Sequence, residues 1–526
     1  MSDSITVRQR IVRDISIDSG QPYAEASGRV PVLADRPGRP ERIVIVGGGF
    51  AGFHAARTLS RTVNRRRWRR RAGTDQVEIV LISPTDYFLY LPLLPEVAAG
   101  ILDARRVAVP LAAAGPGVRT VPGTVDEIDI AARSVGFTDP EGIQRTTSYD
   151  RLLLTVGSVG KLLPVPGLTE HAIGFRSIRE GLALRDHLVR QIELAAAAGV
   201  APAASSSGPD GAPDQAGLQG QARLHGAPSR AGPADPSGPD GAPGRFAAGE
   251  QDARCTFVVV GAGYTGTEVA AHGQLLTRAV AGNYPALRHQ QIRWLLLETA
   301  PRVLPELDRH LSATAHRVLT GRGVEIRTGT TIEKAADDGV LTSGGEFVPT
   351  RSLIWCVGVR PDPLVGTLGL ATSAGRLSVD EYLGVPGHPE IFACGDAAAV
   401  PDLTRPGEIT AMTAQHAVRQ GRRVAGNIAA SLGYGRRRPY RHHDLGFTVD
   451  LGGAKAAANP AGLRLSGVPA KAVTRGYHLS AIPANKIRIA SDWLLDAVLP
   501  RQAVQLGLLE EPPRVPSQPQ HPGQPH

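Results

Sequence analysis

Six glycines at fixed spacing are the residues through which this chain can do chemistry. Gly47, Gly49 and Gly52 stand in Gly47-Gly48-Gly49-Phe50-Ala51-Gly52, directly after the apolar run Arg42-Ile43-Val44-Ile45-Val46. Gly261, Gly263 and Gly266 stand in Gly261-Ala262-Gly263-Tyr264-Thr265-Gly266, after Thr256-Phe257-Val258-Val259-Val260. Each copy predicts a buried parallel strand, a tight turn, and a helix that opens at Phe50 or Tyr264. That geometry carries a pyrophosphate to a helix N-terminus, where the first backbone N–H groups have no partner of their own. One such fingerprint is a weak signal; two in strand–turn–helix context are a strong one. Two dinucleotide sites in one chain suggest a flavin held permanently and a nicotinamide nucleotide that visits it.

A third signal is Glu390-Ile391-Phe392-Ala393-Cys394-Gly395-Asp396-Ala397-Ala398, an apolar strand that ends in Gly395-Asp396 and runs into small residues able to start a helix. A carboxylate there can accept from sugar hydroxyls while the helix start faces phosphate. Taken alone, the same Asp396 reads equally as a helix cap. Beside the two fingerprints it reads as an anchor for a flavin ribityl chain.

The elements that must position these residues alternate strand and helix. Val77–Ile82 and Ile292–Leu297 are the expected second strands of the two units, and Glu298 ends the latter. Leu152–Gly157 and Ser352–Gly358 form another matched pair, closing in Gly157 and Gly358, where backbone can approach a cofactor. The pattern reads as a duplicated unit. Residues 1–40, the Ala/Gly/Pro/Ser-rich stretch 197–253 and the Pro/Gln-rich tail 511–526 read as disordered, since such compositions bury too little apolar surface to offset ordering entropy.

Composition narrows the function classes. The 526 residues allow two or three domains. The net charge of +9 favours anionic partners, but an aromatic content of 5% and the lack of a nucleic-acid-binding motif argue against nucleic acid. No apolar run approaches the roughly 20 residues needed to cross a bilayer, and the first residues hold no signal-peptide core. Cys255, Cys356 and Cys394 lie too far apart for a dithiol relay or a cysteine-rich metal site, and no metal is expected.

At this point the chain resembles the two-dinucleotide-binding flavoproteins, and within them the type II NADH dehydrogenases (NADH:quinone oxidoreductases). Three further segments carry the resemblance: Asp86–Gly100, with Phe88, Leu93, Leu94 and Pro95; Thr413-Ala414-Gln415-His416-Ala417-Val418-Arg419-Gln420-Gly421; and the C-terminal part from Asp444 to Leu499. It covers about residues 41–196 and 254–505. The resemblance implies an α/β fold of two Rossmann-like domains, the NAD domain inserted in the FAD domain, with a C-terminal membrane-associating extension. The expected boundaries are 41–158 and 366–430 for the FAD domain, 159–365 for the NADH domain, and 431–510 for the extension.

The resemblance further implies non-covalent FAD on Gly47, Gly49, Phe50, Ala51, Gly52, Ser83, Gly157, Gly395 and Asp396. NADH falls to Gly261, Gly263, Tyr264, Gly266, Glu298 and Gly358. Glu298 can bond both ribose hydroxyls and repel a 2′-phosphate, with Arg302 nearby working the other way. Ser83 stands where an acid would bond the flavin ribose more strongly. Glu268 is implied at the flavin–nicotinamide junction, although a carboxylate in a first helical turn also serves the helix dipole. Gln415 is implied at the quinone head group; without the resemblance it reads as a surface glutamine. The second glutamine often found four positions later is Arg419 here, with Gln420 beside it, and both join the quinone candidates. Phe88, Leu93 and Leu94 read as a quinone passage or as core.

The implied activity is hydride transfer from NADH to FAD and two electrons onward to a menaquinone- or ubiquinone-type quinone, without proton pumping. The chemistry belongs to the nucleotide and the flavin, which the protein orients. Implied with it are a homodimer and attachment to the cytoplasmic face of an anionic membrane. Arg65–Arg71 reads as a solvated basic loop or a lipid contact, and Trp493, Leu494, Leu495, Val498 and Leu499 beside Arg501 as core, dimer face or leaflet contact. Two other readings remain open: a reductase of an acidic iron–sulfur carrier, and a non-catalytic flavoprotein that senses NADH.

Overall fold

The computed structural model describes residues 40–67, 77–198, 243–501, 504–507 and 514–515. The expected arm 1–40, most of the basic run and most of the insert lie outside them. Two parallel sheets dominate. The first orders its strands Gly384–Val385, His388–Ala393, Arg151–Leu154, Glu41–Val46, Val77–Ser83 and Val118–Pro122, all parallel except the short first one. The second orders Ala172–Ile173, Ser352–Trp355, Thr256–Val260, Arg293–Glu298 and Val324–Thr328, parallel throughout. Every strand of the second sheet lies in sequence between Leu154 and His388, so the second unit is inserted within the first.

In both sheets the strand before the glycine turn is central and covered on both faces. That is why it reads as an unbroken apolar run: Ile43, Val44 and Ile45, and Phe257, Val258 and Val259, are fully buried. The helices Phe50–Arg67 and Tyr264–Ala281 follow, each opening at the residue the fingerprint predicts. Trp294, from the second strand of the inserted unit, stacks on Phe257 at 4.9 Å and donates its indole N–H to Thr277 Oγ1 at 3.0 Å.

A helix at Ala414–Ser431, capped by the Thr413 side chain on the His416 N–H, lies across Phe50–Arg67. Beyond it come a small antiparallel sheet (Thr448–Asp450, Ala456–Ala458, Leu465–Ser466) and the helices Gly467–Ala481 and Lys486–Val498. No helix among the described residues is long and apolar enough to cross a membrane.

Three expectations change. The end of the low-complexity stretch is a helix, Pro243–Arg254, fastened by Glu250, which pairs with Arg254 one turn on and with Arg351. Within the tail, Arg514 bridges Ile173 at the edge of the second sheet and Val515 is buried. Composition does not register a pairing supplied by a distant sheet edge. After Gly395-Asp396 no helix begins: Gly395–Ala397 is a single 3-10 turn, because Ala398–Ala399 leaves at once to pair with Arg376–Ser378.

Gly421 marks how tightly the Ala414–Ser431 helix sits, since a Cβ there would lie 2.3 Å from the Ala51 carbonyl oxygen. Gly→Ala in a helix normally gains about 0.5–1 kcal/mol, but overpacking costs about 1–3 kcal/mol. Gly421→Ala is therefore expected to lower stability in chemical denaturation, whereas Gly426→Ala, with open space around it in the same helix, should not.

Candidate active site

The two glycine turns are built alike, and each glycine has a different reason to be there. Gly47 (φ 100°) and Gly261 (φ 97°) take a conformation that L side chains rarely adopt, and a Cβ would meet Thr155 O at 2.4 Å or Cys356 O at 2.5 Å. At Gly52 and Gly266 a Cβ would lie 1.9 and 1.8 Å from the carbonyl oxygens of Gly47 and Gly261, so these glycines let the helix close onto the strand. At Gly49 and Gly263 a Cβ would meet nothing within 4 Å. The open side at the middle glycine is where a pyrophosphate would approach the helix N-terminus. The donors fit that purpose: the helices run 18 residues each and carry no acidic residue in the first turn, Glu268 falling in the second turn and not, as expected, in the first.

Around the first turn, Ser83 is buried beneath Gly48 rather than presented outward; a Cβ on Gly48 would meet its Oγ at 2.8 Å. Asp396 is half-buried and accepts from Ser158 Oγ at 2.6 Å, while Arg176 donates to the Ser158 carbonyl at 3.0 Å. Arg376, missed in the sequence, is buried near Asp396 and gives Nη1 to the Thr410 carbonyl; its Nε and Nη2 have no hydrogen-bond partner among the described residues. Two orphaned guanidinium donors beside the flavin-anchor candidate suit an anionic or hydroxyl-rich ligand. Gly157 (φ 79°) and Gly358 (φ 49°) both face open space, as the expected close approach requires.

Around the second turn, Glu298 holds the loop itself: Oε2 accepts the Ala262 N–H at 2.7 Å and Oε1 the Ala300 N–H at 2.9 Å. Arg302 turns its guanidinium onto the carbonyls of Leu307 and Pro305, spending it on its own loop. A cavity of about 640 Å³ joins the two units, lined by Ser158, Gly160, Arg176, Thr265, Cys356 and Gly358. Cys356 is a free thiol pushed by burial up to about 12, and Cys255 and Cys394 are free as well, so no redox disulfide stands in this cleft.

A second cavity, of about 220 Å³, lies where the first glycine helix, the Ala414–Ser431 helix and the C-terminal part meet, lined by Phe50, Tyr90, Gln415, Val418, Arg419 and Tyr477 among others. Gln415 donates Nε2 to the Gly446 carbonyl at 2.8 Å, and its buried Oε1 has no partner among the described residues. Arg419 donates to the His443 carbonyl and meets His442 Nδ1 at 3.3 Å. Gln420 does not belong to this cavity. It is fully buried, accepts from the Gly395 N–H at 2.8 Å and donates to Thr410 Oγ1 at 2.9 Å, so it braces the Gly395-Asp396 turn. Phe88, Leu93 and Leu94 are core; Phe88 stacks on Phe53 at 5.1 Å between ring centres.

The C-terminal part and the helix of the second glycine turn share a knot of buried charge. Glu268 is part-buried, and its Oε1 accepts the Asp450 backbone N–H at 2.9 Å. Burial holds its carboxyl well above the usual range. Lys471 donates to Asp450 and lies 3.9 Å from Glu96, which accepts the Trp493 indole N–H. His272 Nε2 lies 3.4 Å from Asp450. Ligand atoms of Glu96, His272 and Asp450 come within 4.8 Å of one another, but the cation serving the cluster is the Lys471 ammonium. Trp493 is thus buried, with Arg475 over its ring, and Arg501 is paired with Asp496. Of the C-terminal apolar stripe, only Leu494, Leu495, Val498 and Leu499 are exposed.

Burial, and secondarily the Asp450 charge, pushes Glu96 up to about 8, whereas its ion partners hold Asp450 below the usual range. A carboxyl with a raised folded value binds its proton more tightly folded than unfolded. Glu96 therefore costs stability progressively as pH rises from about 4.5 to 8. Glu96→Gln mimics the protonated form, and its stability should fall less than wild type between pH 5 and 9 in denaturant titrations. Lys471→Met, leaving Asp450 buried and unpaired, should cost about 3–5 kcal/mol at pH 7.

The description "pyridine nucleotide-disulphide oxidoreductase" is that of the family matching residues 41–201 and 236–421. Two type II NADH:quinone oxidoreductases of Mycobacterium tuberculosis are each 27% identical. The matches run over 448 residues (82% of each chain) and over 472 residues (86% of this chain, 83% of the relative). The solved structure of NDH2 from Plasmodium falciparum in complex with NADH shares the fold, with a TM-score of 0.70 at 16% identity, over 89% of this chain and 100% of that one.

Proposed function

The chain belongs to the pyridine nucleotide-disulphide oxidoreductase family, and we propose that within it this protein is an FAD-dependent NADH:quinone oxidoreductase. The observation that carries the reading is the pairing of two open-sided glycine turns with a separate pocket lined by Gln415, whose buried Oε1 has no partner among the described residues. Relatives of that name extend over most of this chain. FAD would lie on the first turn, held by Gly47, Gly49, Gly52, Asp396 and Arg376, and would supply hydride acceptance from NADH and two-electron delivery to the quinone. NADH would reach it through the large cleft, from the turn of Gly261, Gly263 and Gly266.

In this reading each side chain has a task. Glu298 meets the adenosine ribose with a carboxylate, and the nearest arginine, Arg302, is tied to its own loop. Glu268, fixed to the Asp450 backbone and held by burial well above the usual carboxylate range, would stand at the junction between cleft and pocket. Gln415 spends one Nε2 hydrogen on Gly446 and has a second for a quinone carbonyl, while its orphaned Oε1 could accept from a hydroquinone hydroxyl. The lack of a disulfide in the cleft separates this chain from flavoproteins that reduce disulfides through a cysteine pair. The exposed row of Ile487, Leu494 and Val498 on the last helix suits one leaflet of an anionic membrane, or the dimer face, from the cytoplasmic side.

The test follows flavin absorbance during turnover with NADH, NADPH and a short-chain quinone. Gln415→Ala should raise the quinone KM about five- to tenfold, as loss of one hydrogen bond of about 1 kcal/mol requires, with flavin reduction by NADH unchanged. NADH should be used at least about tenfold better than NADPH, an unpaired 2′-phosphate beside a carboxylate costing over 1.4 kcal/mol, and Glu298→Ala should narrow the gap. A flavin bleached by NADH but not reoxidised by any quinone would sink the assignment of the acceptor.

A further inference from the structure

A quinone becomes a hydroquinone by taking two electrons and two protons. In the reading above the flavin supplies the electrons, but both quinone oxygens must also end as hydroxyls, in a pocket walled mainly by apolar and cationic side chains. His54, Gln415, Tyr477, Ser480 and Tyr90 also line it, and Tyr90 stands out because its hydroxyl meets a histidine ring. Tyr90 lies in the segment joining the short strand Tyr87–Leu89 to the turn Leu91–Leu93, packs near Phe50 and Phe88, and lines the same cavity as Gln415. Its hydroxyl hydrogen-bonds His478 Nδ1 at 3.1 Å. His478 sits on the Gly467–Ala481 helix, 388 positions away, with its ring edge-on to the Tyr90 ring at 5.8 Å. Tyr90 is 3% exposed and His478 7% exposed.

We propose that Tyr90 and His478 form a proton-delivering dyad for the quinone pocket, Tyr90 giving the proton and His478 positioning and reloading it. This rests on the quinone reading. With the imidazole proton on Nδ1, the ring donates to the Tyr90 oxygen and the phenol proton is left for the pocket. As the two electrons reach the quinone, the Tyr90 O–H bond breaks and a new O–H bond forms on a quinone oxygen. Nε2 takes a proton from solvent as the Nδ1 proton passes to the phenolate, and the imidazole, left with its proton on Nε2, returns it to Nδ1 through water before the next turnover. Nothing is oxidised in the dyad, and the other hydroxyl takes its proton by a separate route. Burial keeps both groups neutral at rest: the phenol stays protonated, and His478 is lowered to about 4.

The sequence hides this pair. Tyr90 stands in a run that reads as apolar, and His478 is a lone histidine in a helix with no spacing that connects the two. Only the docking of the C-terminal part against the segment 86–100 brings them together.

The experiment uses the full-length protein with flavin bound, reduced by NADH and then mixed either with a short-chain quinone or with ferricyanide, which takes electrons and needs no proton. In Tyr90→Phe, flavin reduction and reoxidation by ferricyanide should keep wild-type rates. Reoxidation by quinone should slow at least about tenfold, the low end for removal of a general acid. Quinone reoxidation of the wild type should slow in D₂O, and the variant should lose that dependence. His478→Gln, whose amide can still meet the Tyr90 hydroxyl but cannot relay a proton, should share the quinone defect and keep the ferricyanide rate. Quinone reoxidation of Tyr90→Phe at the wild-type rate overturns the dyad, as does equal slowing with both acceptors, which marks a disturbed pocket. Wild-type flavin that no quinone reoxidises overturns the functional reading itself, and the dyad with it.

Discussion

One buried ammonium holds the molecule's three parts in register. Lys471 comes from the C-terminal helix Gly467–Ala481, its partner Asp450 from the small antiparallel sheet, and Glu96 from the segment that follows the second strand of the first unit. Asp450 in turn offers its backbone N–H to Glu268 and a carboxylate oxygen to His272, both on the helix of the second glycine turn. A charge taken out of water must be matched or it unfolds what surrounds it. The knot can be satisfied only if the flavin unit, the nicotinamide unit and the C-terminal part sit in one relative position. That position also sets the width of both cavities.

The knot explains why carboxylates with opposite tendencies live side by side. Asp450 has the ammonium, an imidazole and a backbone turn, and stays ionised. Glu96 shares the same ammonium at longer range and has an indole N–H, which is too little to offset full burial. Glu268 has one backbone donor, and burial holds its carboxyl well above the usual range as well.

Much of this was legible from residue order, because the glycine turns and the strands before them are local. Gly47 and Gly261 need their conformation, Gly52 and Gly266 need their missing Cβ, and the apolar runs need two covered faces, all within about ten residues of chain. What escaped was what long-range packing decides. Gln420 beside Arg419 looked like a further ligand, but one helix position turns it about 100°, from the pocket into the core under Gly395. Trp493 read as core, dimer face or leaflet contact, and it is the Glu96 carboxyl that draws its N–H inward. Arg376 gave no signal at all, since an isolated arginine in sequence does not disclose that two of its donors are buried without partners.

The same division separates the two kinds of site in this molecule. Dinucleotide recognition is written in backbone geometry, so it needs glycine at particular places and repeats wherever the unit is repeated. Acceptor recognition, in the function proposed above, draws on side chains from three separate stretches: Tyr90 just after the second strand of the first unit, Gln415 and Arg419 on the Ala414–Ser431 helix, and Tyr477 on the Gly467–Ala481 helix. Those stretches can change without disturbing either glycine turn, because none of them forms part of a parallel sheet. One scaffold can therefore keep its nucleotide chemistry while its electron acceptor, and the groups that move protons to it, are rebuilt at the joint between the sheets and the C-terminal part.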